Sequence, residues 1–241
     1  MLRSLRVGKW LGISIGISWT WLAVFGFTVW SLSARVFPDQ FPAWPASWYW
    51  LAAFACALLL FGSVVAHEVA HSLICRSCGL PVHSITLFVF GGISDVQENV
   101  ETPIGELLQA AVGPLTNIAL GLGAGVLVVT VTALGQPATA VLMFLAVSNL
   151  LLGLINLVPG LPLDGGRLLR SFLWYLSENR DQATRVAVLS GQVAGWGLVI
   201  GGVLLGVTIN LVWGASLLLA GLCVVGVSGA SYFQAVRNEA R

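Results

Sequence analysis

The stretch VVAHEVAHSL, from Val64 to Leu73, places two histidines and a glutamate at the end of a long apolar run. A run of about 20 mostly apolar residues is long enough to cross a bilayer as a helix. Ionisable side chains are costly in hydrocarbon, and those found in membrane spans usually have a function. His67, Glu68 and His71 therefore predict a membrane helix that carries a functional site.

The composition also indicates a membrane protein. Of the 241 residues, 57% are hydrophobic and only 9% are charged, whereas soluble domains average about 25% charged residues. The formal net charge is +1, and the sequence has no Lys/Arg-rich stripe of the kind that binds nucleic acid. We therefore expect a protein that contacts the lipid bilayer and binds no nucleic acid.

The apolar runs predict an all-α polytopic membrane protein of about six transmembrane helices with short membrane-associated β-strands. The expected spans are residues 18–32, 47–75, 107–134, 140–158, 183–207 and 209–229. No long linker or repeat interrupts them, so we expect one membrane domain over residues 1–241.

The basic residues predict the orientation, because Lys and Arg accumulate in cytoplasmic loops. With six spans and a cytoplasmic N-terminus, ten of the eleven Lys and Arg residues lie on the cytoplasmic side, and only Arg35 lies outside. Both termini are then cytoplasmic. His67 precedes Arg76, the expected interface marker, by a helical rise of about 13 Å, which places the site in the cytosolic half of a multi-pass cell membrane protein.

Two segments predict strands rather than helices. VGKWLGISIGIS precedes the first span, and HSITLFVF, which alternates and ends at Gly91 and Gly92, follows the second. Non-helical backbone at membrane depth must be covered by protein or line a watery cavity. We therefore expect an edge strand over residues 85–90, next to a cavity near the histidines.

His67 and His71 are four residues apart, so a helix places both imidazoles on one face, where they can bind one ion. Glu68 is near enough to reach a water at that ion. Catalytic zinc sites use three protein ligands and keep the fourth position for water. One ligand is therefore missing from this motif.

Asp164 is the best candidate for the third ligand, because the other acidic residues lie in polar surroundings, in the 95–106 loop cluster or on the opposite side of the membrane. It belongs to NLLLGLINLVPGLPLDGGRLLR, residues 149–170. Pro159 and Pro162 should break the fourth span there, and Gly165 and Gly166 permit close backbone approach. The second and fourth spans run in the same direction, so Asp164 can face the histidines.

HEVAH followed by NLVPGLPLDGG resembles the site-2 protease family of intramembrane zinc metalloproteases. That family's motifs, HExxH and N-x-x-P-x-x-P-L-D-G, are matched at His67, Glu68, His71, Asn156, Pro159, Pro162, Leu163, Asp164 and Gly165. GPLTN, from Gly113 to Asn117, is similar to a G-P-x-x-N element of the family's third span.

The resemblance implies one Zn²⁺ per chain, held by His67, His71 and Asp164, with Glu68 as the general base. It places Asn156 where the amide could hold the substrate or the oxyanion, although a membrane asparagine is often only an interhelical hydrogen-bond partner. Many bacterial relatives carry PDZ or CBS domains. Neither is recognisable in this sequence, which puts regulation by such domains in doubt.

The resemblance further implies a single-span membrane protein as substrate, such as an anchored transcription regulator or anti-sigma factor, and signal peptide remnants stay open as an alternative. A transmembrane helix hides its scissile carbonyl in hydrogen bonds, so it must unwind before cleavage. We expect the unwound segment to add to the strand that contains Ile85, Leu87 and Val89.

Two other functions stay open. A six-span metal or solute transporter could use His67, His71 and Asp164 as a translocation site, although these groups lie on one side of the membrane and a carrier has no special need for Glu68. A membrane metalloprotease that attacks soluble or peripheral substrates would share HExxH but would not predict the segment from Asn156 to Gly165.

Overall fold

A computed structural model describes residues 4–10, 12–88, 91–96, 100, 102–130, 135–208 and 211–239. Contacts within the chain divide it into two compact units. The first unit contains residues 1–99 and 112–154, and the second contains residues 100–111 and 155–241. The single domain expected over residues 1–241 stays a prediction.

The described helices confirm an all-α membrane protein. Five of them are long and apolar enough to cross a bilayer, namely Trp19–Gln40, Ala46–Ser77, Pro103–Thr130, Gln136–Asn156 and Arg180–Thr208. They correspond to the first five predicted spans. The sixth predicted span, 209–229, falls in the helix Leu211–Glu239, whose described apolar stretch, Gly214–Ala230, is shorter.

The first span is longer than the sequence predicted. Helix α1 (Trp19–Ser31) begins after Ser18, whose hydroxyl accepts a hydrogen bond from the amide of Trp21. A π-helical segment, Leu32–Val36, then continues into helix α2 (Phe37–Gln40). A widened π-helical turn accommodates an extra residue without ending the helix, so the chain stays helical beyond residue 32.

Four strands, β1 (Ser4–Trp10), β2 (Ile13–Ser18), β3 (Val82–Phe88) and β4 (Gly91–Val96), form one sheet in the order β1-β2-β3-β4. The two antiparallel hairpins, β1 with β2 and β3 with β4, confirm the predicted strands. Their union through a parallel β2–β3 pair was not predicted.

The expectation that Ile85 to Phe90 forms a sheet edge is wrong. β3 is paired with β2 on one side and β4 on the other, and Ile85 and Leu87 are buried. Val89 lies outside the described residues. The error arises because β2 and β3 are distant in the sequence, and local alternation carries no information about such pairing. Among the described strands, β1 and β4 are the edges.

The sheet packs against helix α3 (Ala46–Ser77) in the first unit. Ile85 and Leu87 of β3 join Val69 of α3 in one apolar cluster. Trp21 and Phe61 meet edge to face in the same cluster, with ring centroids 4.0 Å apart. Burial of each large apolar side chain contributes about 1.5–3 kcal/mol, so the cluster fixes the rotation of α3 and of the histidines it carries.

The second unit contains the beginning of α4 (Pro103–Thr130), the end of α5 (Gln136–Asn156), α6 (Asp164–Ser177), α7 (Arg180–Thr208) and α8 (Leu211–Glu239). Helices α7 and α8 pack closely through glycines. A Cβ built on Gly202 would lie 2.5 Å from the amide nitrogen of Leu218, and one on Gly214 would lie 2.2 Å from Cα of Gly206. Larger residues at these positions would force the two helices apart.

Candidate metal centre

The two histidines lie together on α3, as their spacing predicts. Their Nε2 atoms are 3.0 Å apart, and the two rings are nearly perpendicular, at 79°. His67 is 7% exposed and His71 is 6% exposed. The pair therefore presents two nitrogen donors at one enclosed point of a membrane-length helix. Its role as a metal ligand pair stays a prediction.

Glu68 lies one residue further along α3 and is half-buried. Successive helix residues are rotated by about 100°, so its carboxylate lies on the face adjoining the imidazoles. Its backbone carbonyl accepts a hydrogen bond from the hydroxyl of Ser72 at 3.0 Å. A more exposed carboxylate beside two enclosed imidazoles suits a group that exchanges protons with water.

Asp164 is the first residue of α6 and belongs to the second unit. Its side chain is 13% exposed, and its Oδ1 lies 3.9 Å from the guanidinium of Arg167. A helix N-terminus favours an adjacent carboxylate through its unpaired amides and dipole. The aspartate is thus held in place within its own unit, and its approach to the histidines stays a prediction.

A polar network connects α6 to the beginning of α4 within the second unit, and the sequence did not predict it. Arg167 donates to Oε1 of Gln109 at 2.7 Å, and Arg170 forms an ion pair with Glu106. Glu106 is 2% exposed in the first turns of α4, so the placement of this residue in a loop cluster is wrong. Glu106 and Gln109 are three residues apart on α4, and Arg167 and Arg170 are three residues apart on α6, so helical spacing places the two members of each set on one face.

The segment between α5 and α6 confirms the predicted break and the close backbone approach. A Cβ on Gly165 would lie 2.3 Å from the carbonyl oxygen of Val158, and one on Gly166 would lie 2.1 Å from the amide nitrogen of Leu161. The amide of Leu161 donates to the carbonyl of Ala187 at 3.1 Å. The carbonyl of Leu161 accepts a hydrogen bond from the Ser228 hydroxyl. Helices α7 and α8 thus anchor the segment that leads into Asp164.

The other predicted site residues belong to different elements. Asn156 ends α5, is half-buried and belongs to the second unit. Ile85 and Leu87 lie inside the sheet of the first unit. The structure therefore brings together only the histidines and Glu68 among the predicted residues of the first unit, within the part of the chain that it describes.

Comparison with known proteins gives consistent matches. The chain matches Peptidase family M50 over residues 55–135 and 131–198. It is 37% identical over 196 residues to the Synechocystis sp. protein named "Putative zinc metalloprotease sll0528", a match that covers 81% of this chain and 51% of the relative. It is also 37% identical over 195 residues to "Putative zinc metalloprotease Rip3" of Mycobacterium tuberculosis, covering 80% and 49%. The chain spans about half the length of these curated relatives.

A solved structure, the site-2 protease from Methanocaldococcus jannaschii, is similar with a TM-score of 0.63 and 26% identity, over 95% of each chain. The family match includes both the histidine helix and the segment from Asn156 to Gly165. The comparisons confirm the resemblance and give the transporter interpretation no support. The chain therefore belongs to peptidase family M50, and its fold is that of a site-2 protease.

Proposed function

We propose that this protein is an intramembrane zinc metalloprotease, which hydrolyses a peptide bond within or near a transmembrane segment of a membrane-anchored protein. The observation that carries the proposal is the buried imidazole pair, with Nε2 atoms 3.0 Å apart on a membrane-length helix and Glu68 beside it. Membership of peptidase family M50 supports it independently.

The residues present fit a zinc ion. Zinc accepts imidazole nitrogen and carboxylate oxygen, with three protein ligands in a catalytic site. His67, His71 and Asp164 each offer one such ligand atom. The support for Asp164 is its place in the second motif and its enclosure beside Arg167. When bound, zinc lowers the pKa of a coordinated water and polarises a carbonyl group.

Glu68 is proposed as the general base. Its carboxylate takes a proton from the attacking water and then delivers that proton to the leaving nitrogen, a role in which one positioned group contributes about 10²- to 10⁴-fold. Asn156 is proposed to donate an amide hydrogen bond to the carbonyl oxygen as negative charge develops on it. The half-buried position of Asn156 at the end of α5 supports this role.

A substrate helix must unwind before its carbonyl can react, and an extended segment can then add to a sheet edge. Since β3 is paired on both sides, β4 is the edge beside it among the described strands. Adjacent residues of β4 direct their amides alternately towards β3 and away from it. Proline lacks the amide hydrogen that an added strand would bind. Of the two variants Ile93→Pro and Ser94→Pro, the one that removes an amide directed away from β3 should therefore cleave less while it still binds zinc. Unchanged cleavage in both variants would exclude this edge.

The proposed setting is the cytosolic half of a cell membrane, with both termini in the cytoplasm. The distribution of ten of the eleven Lys and Arg residues supports this orientation. The proposed substrate is a single-span membrane protein, such as an anchored transcription regulator or anti-sigma factor, whose soluble part would be released into the cytosol. Accessibility of single cysteines introduced before β1 to a membrane-impermeant reagent would test the orientation, since labelling from outside intact cells would contradict it.

Purified protein in detergent, tested on a panel of single-span substrates, would test the function. Bound zinc is quantified in the wild type, in Glu68→Gln, and in Glu178→Gln as the control, because Glu178 is an exposed residue at the end of α6. We expect zinc in all three and cleavage lowered at least about 10²-fold only in Glu68→Gln. Wild-type cleavage by Glu68→Gln would contradict the proposed base, and zinc-loaded wild type that cleaves no substrate would contradict proteolysis.

A further inference from the structure

Gly113, in the part of α4 that belongs to the first unit, lies against both imidazoles. A Cβ built on it would lie 2.3 Å from Nε2 of His71 and 2.7 Å from Cε1 of His67. Cβ atoms essentially never approach other heavy atoms closer than 3.0 Å. No residue with a side chain therefore fits at position 113 while the two imidazoles keep their positions.

The imidazoles have little freedom to yield. Both are enclosed, at 7% and 6% exposure, and the helix that carries them is packed against the sheet through Val69 and Cys75. An imidazole turns about only two side-chain bonds, and a rotation that clears a methyl group at Gly113 would also move Nε2. The distance of 3.0 Å between the two Nε2 atoms would not survive this movement.

The distance from an ideal Cβ at Gly113 to Nε2 of His71 can be compared with the length of a zinc–nitrogen bond. Zinc binds imidazole nitrogen at about 2.0–2.1 Å, and the Cβ of an alanine would lie 2.3 Å from Nε2 of His71. The methyl group of an alanine at position 113 would therefore lie only slightly farther from that nitrogen than a bound zinc ion does. It would displace the imidazole and so move the nitrogen that is proposed to bind the ion.

We propose that Gly113 is a positioning residue of the metal centre, which rests on the zinc site of the proposed function. By carrying no side chain, it leaves the volume beside Nε2 of His71 free for the ion and lets both imidazoles pack against α4. Glycine is required here by the ligand side chains, and not by the backbone conformation, since Gly113 lies within a helix and its φ is not positive.

Other glycines of α4 provide matched controls. Gly123 and Gly125 have nothing within 4 Å of an ideal Cβ. Gly121 is crowded, but by Leu150 and the carbonyl of Ala146, so it tests helix packing without the histidines. Among the described glycines, Gly113 is the one whose ideal Cβ approaches imidazole atoms.

The experiment measures zinc affinity and thermal unfolding of the full chain in detergent, with and without chelator, for alanine at positions 113, 121, 123 and 125. We expect Gly113→Ala to bind zinc roughly 10- to 100-fold more weakly than the wild type, as changes to groups that orient ligands do. Zinc should therefore raise the unfolding temperature of Gly113→Ala only slightly. Gly123→Ala and Gly125→Ala should bind zinc normally, and Gly121→Ala should lower stability more than zinc affinity.

A double-mutant cycle with His71→Ala keeps the test decisive if Gly113→Ala is unstable. The metal-free destabilisation caused by Gly113→Ala should be smaller when His71 is already alanine, because the two nearest clashing atoms are gone and only Cε1 of His67, at 2.7 Å, remains. An undiminished loss in that background would overturn the inference. The inference about Gly113 would also be overturned if Gly113→Ala bound zinc as tightly as the wild type does. If the zinc-loaded wild type cleaved no substrate, the proposed proteolysis would be contradicted, but the comparison of zinc affinities would still be valid.

Discussion

Helix α3 and the segment from Leu157 to Gly166 fix their proposed ligands in different ways. On α3, the helical repeat alone brings His67 and His71 together. Asp164 instead follows an irregular segment, in which the Leu161 amide donates to a carbonyl of α7 and the Leu161 carbonyl accepts from a hydroxyl of α8. Local geometry thus positions the two imidazoles, and long-range contacts position the carboxylate. The segment from Leu157 to Gly166 should therefore be more sensitive than α3 to substitutions far from the proposed metal centre.

Replacement of a glycine by alanine should show the largest difference in stability between the two regions. Alanine at Gly166 would place Cβ 2.1 Å from the amide nitrogen of Leu161 and 2.3 Å from the carbonyl carbon of Gly160. Backbone atoms cannot rotate away, so we expect a loss of about 3 kcal/mol in the free energy of unfolding, at the upper end of what overpacking costs. Gly62 in α3 has nothing within 4 Å, and alanine there should stabilise by up to about 1 kcal/mol.

Denaturant unfolding of both variants in the same detergent measures this difference. Zinc content, determined on the folded fraction, shows whether Gly166→Ala also loses the ion. Equal stability of the two alanine variants would show that the segment around Leu161 is plastic, and the contrast between the two regions would then fail.

Features that depend on local geometry could be predicted from the sequence, whereas features that depend on long-range contacts could not. The pairing of His67 with His71 and the five membrane-length helices depend on local periodicity, and they were predicted, as were the strand segments before the first span and after the second. The single sheet was not, because β2 pairs with β3 across the whole of α1 and α3. For the same reason Ile85 and Leu87 were expected at an edge and are found inside.

The role inferred for Gly113 was also beyond the sequence. The GPLTN element marks an unusual Gly-Pro pair within an apolar run, but the approach of Gly113 to the imidazoles depends on how α4 packs against α3. Glu106 was expected among loop residues because acidic residues cluster before α4. Its burial becomes understandable only once Arg170 is placed beside it.

The ion pair between Glu106 and Arg170 gives a prediction of intermediate size for the second unit. Glu106 is 2% exposed and Arg170 is 19% exposed in their side chains, so Arg170→Leu would leave a buried carboxylate without its cation. Breaking a buried pair in this way typically destabilises by about 3 kcal/mol. Thermal unfolding should show a clear decrease for Arg170→Leu and a smaller one for Arg180→Leu, which removes only a guanidinium stacked 5.1 Å from the Trp174 ring centroid.

The double variant Glu106→Leu/Arg170→Leu sharpens this prediction. Replacing both charges by apolar groups removes the unpaired carboxylate, and such replacements are often nearly neutral. We therefore expect the double variant to be more stable than Arg170→Leu alone. If the two losses simply add, the pair is not the reason for the burial of Glu106, and the network contributes little to the position of α6.

The smallest expected effect concerns Ser228, whose hydroxyl donates to the carbonyl of Leu161 from α8. Ser228 is fully buried, so Ser228→Ala would leave that carbonyl without this donor, at a cost of about 1 kcal/mol. Ser190→Ala is the matched control, because the Ser190 hydroxyl donates to the Val186 carbonyl within its own helix, α7. If α8 positions the segment before Asp164, Ser228→Ala should weaken zinc binding as well as stability, whereas Ser190→Ala should change neither. A loss of stability with unchanged zinc affinity would restrict α8 to a packing role and leave the position of Asp164 to Arg167 and Gln109.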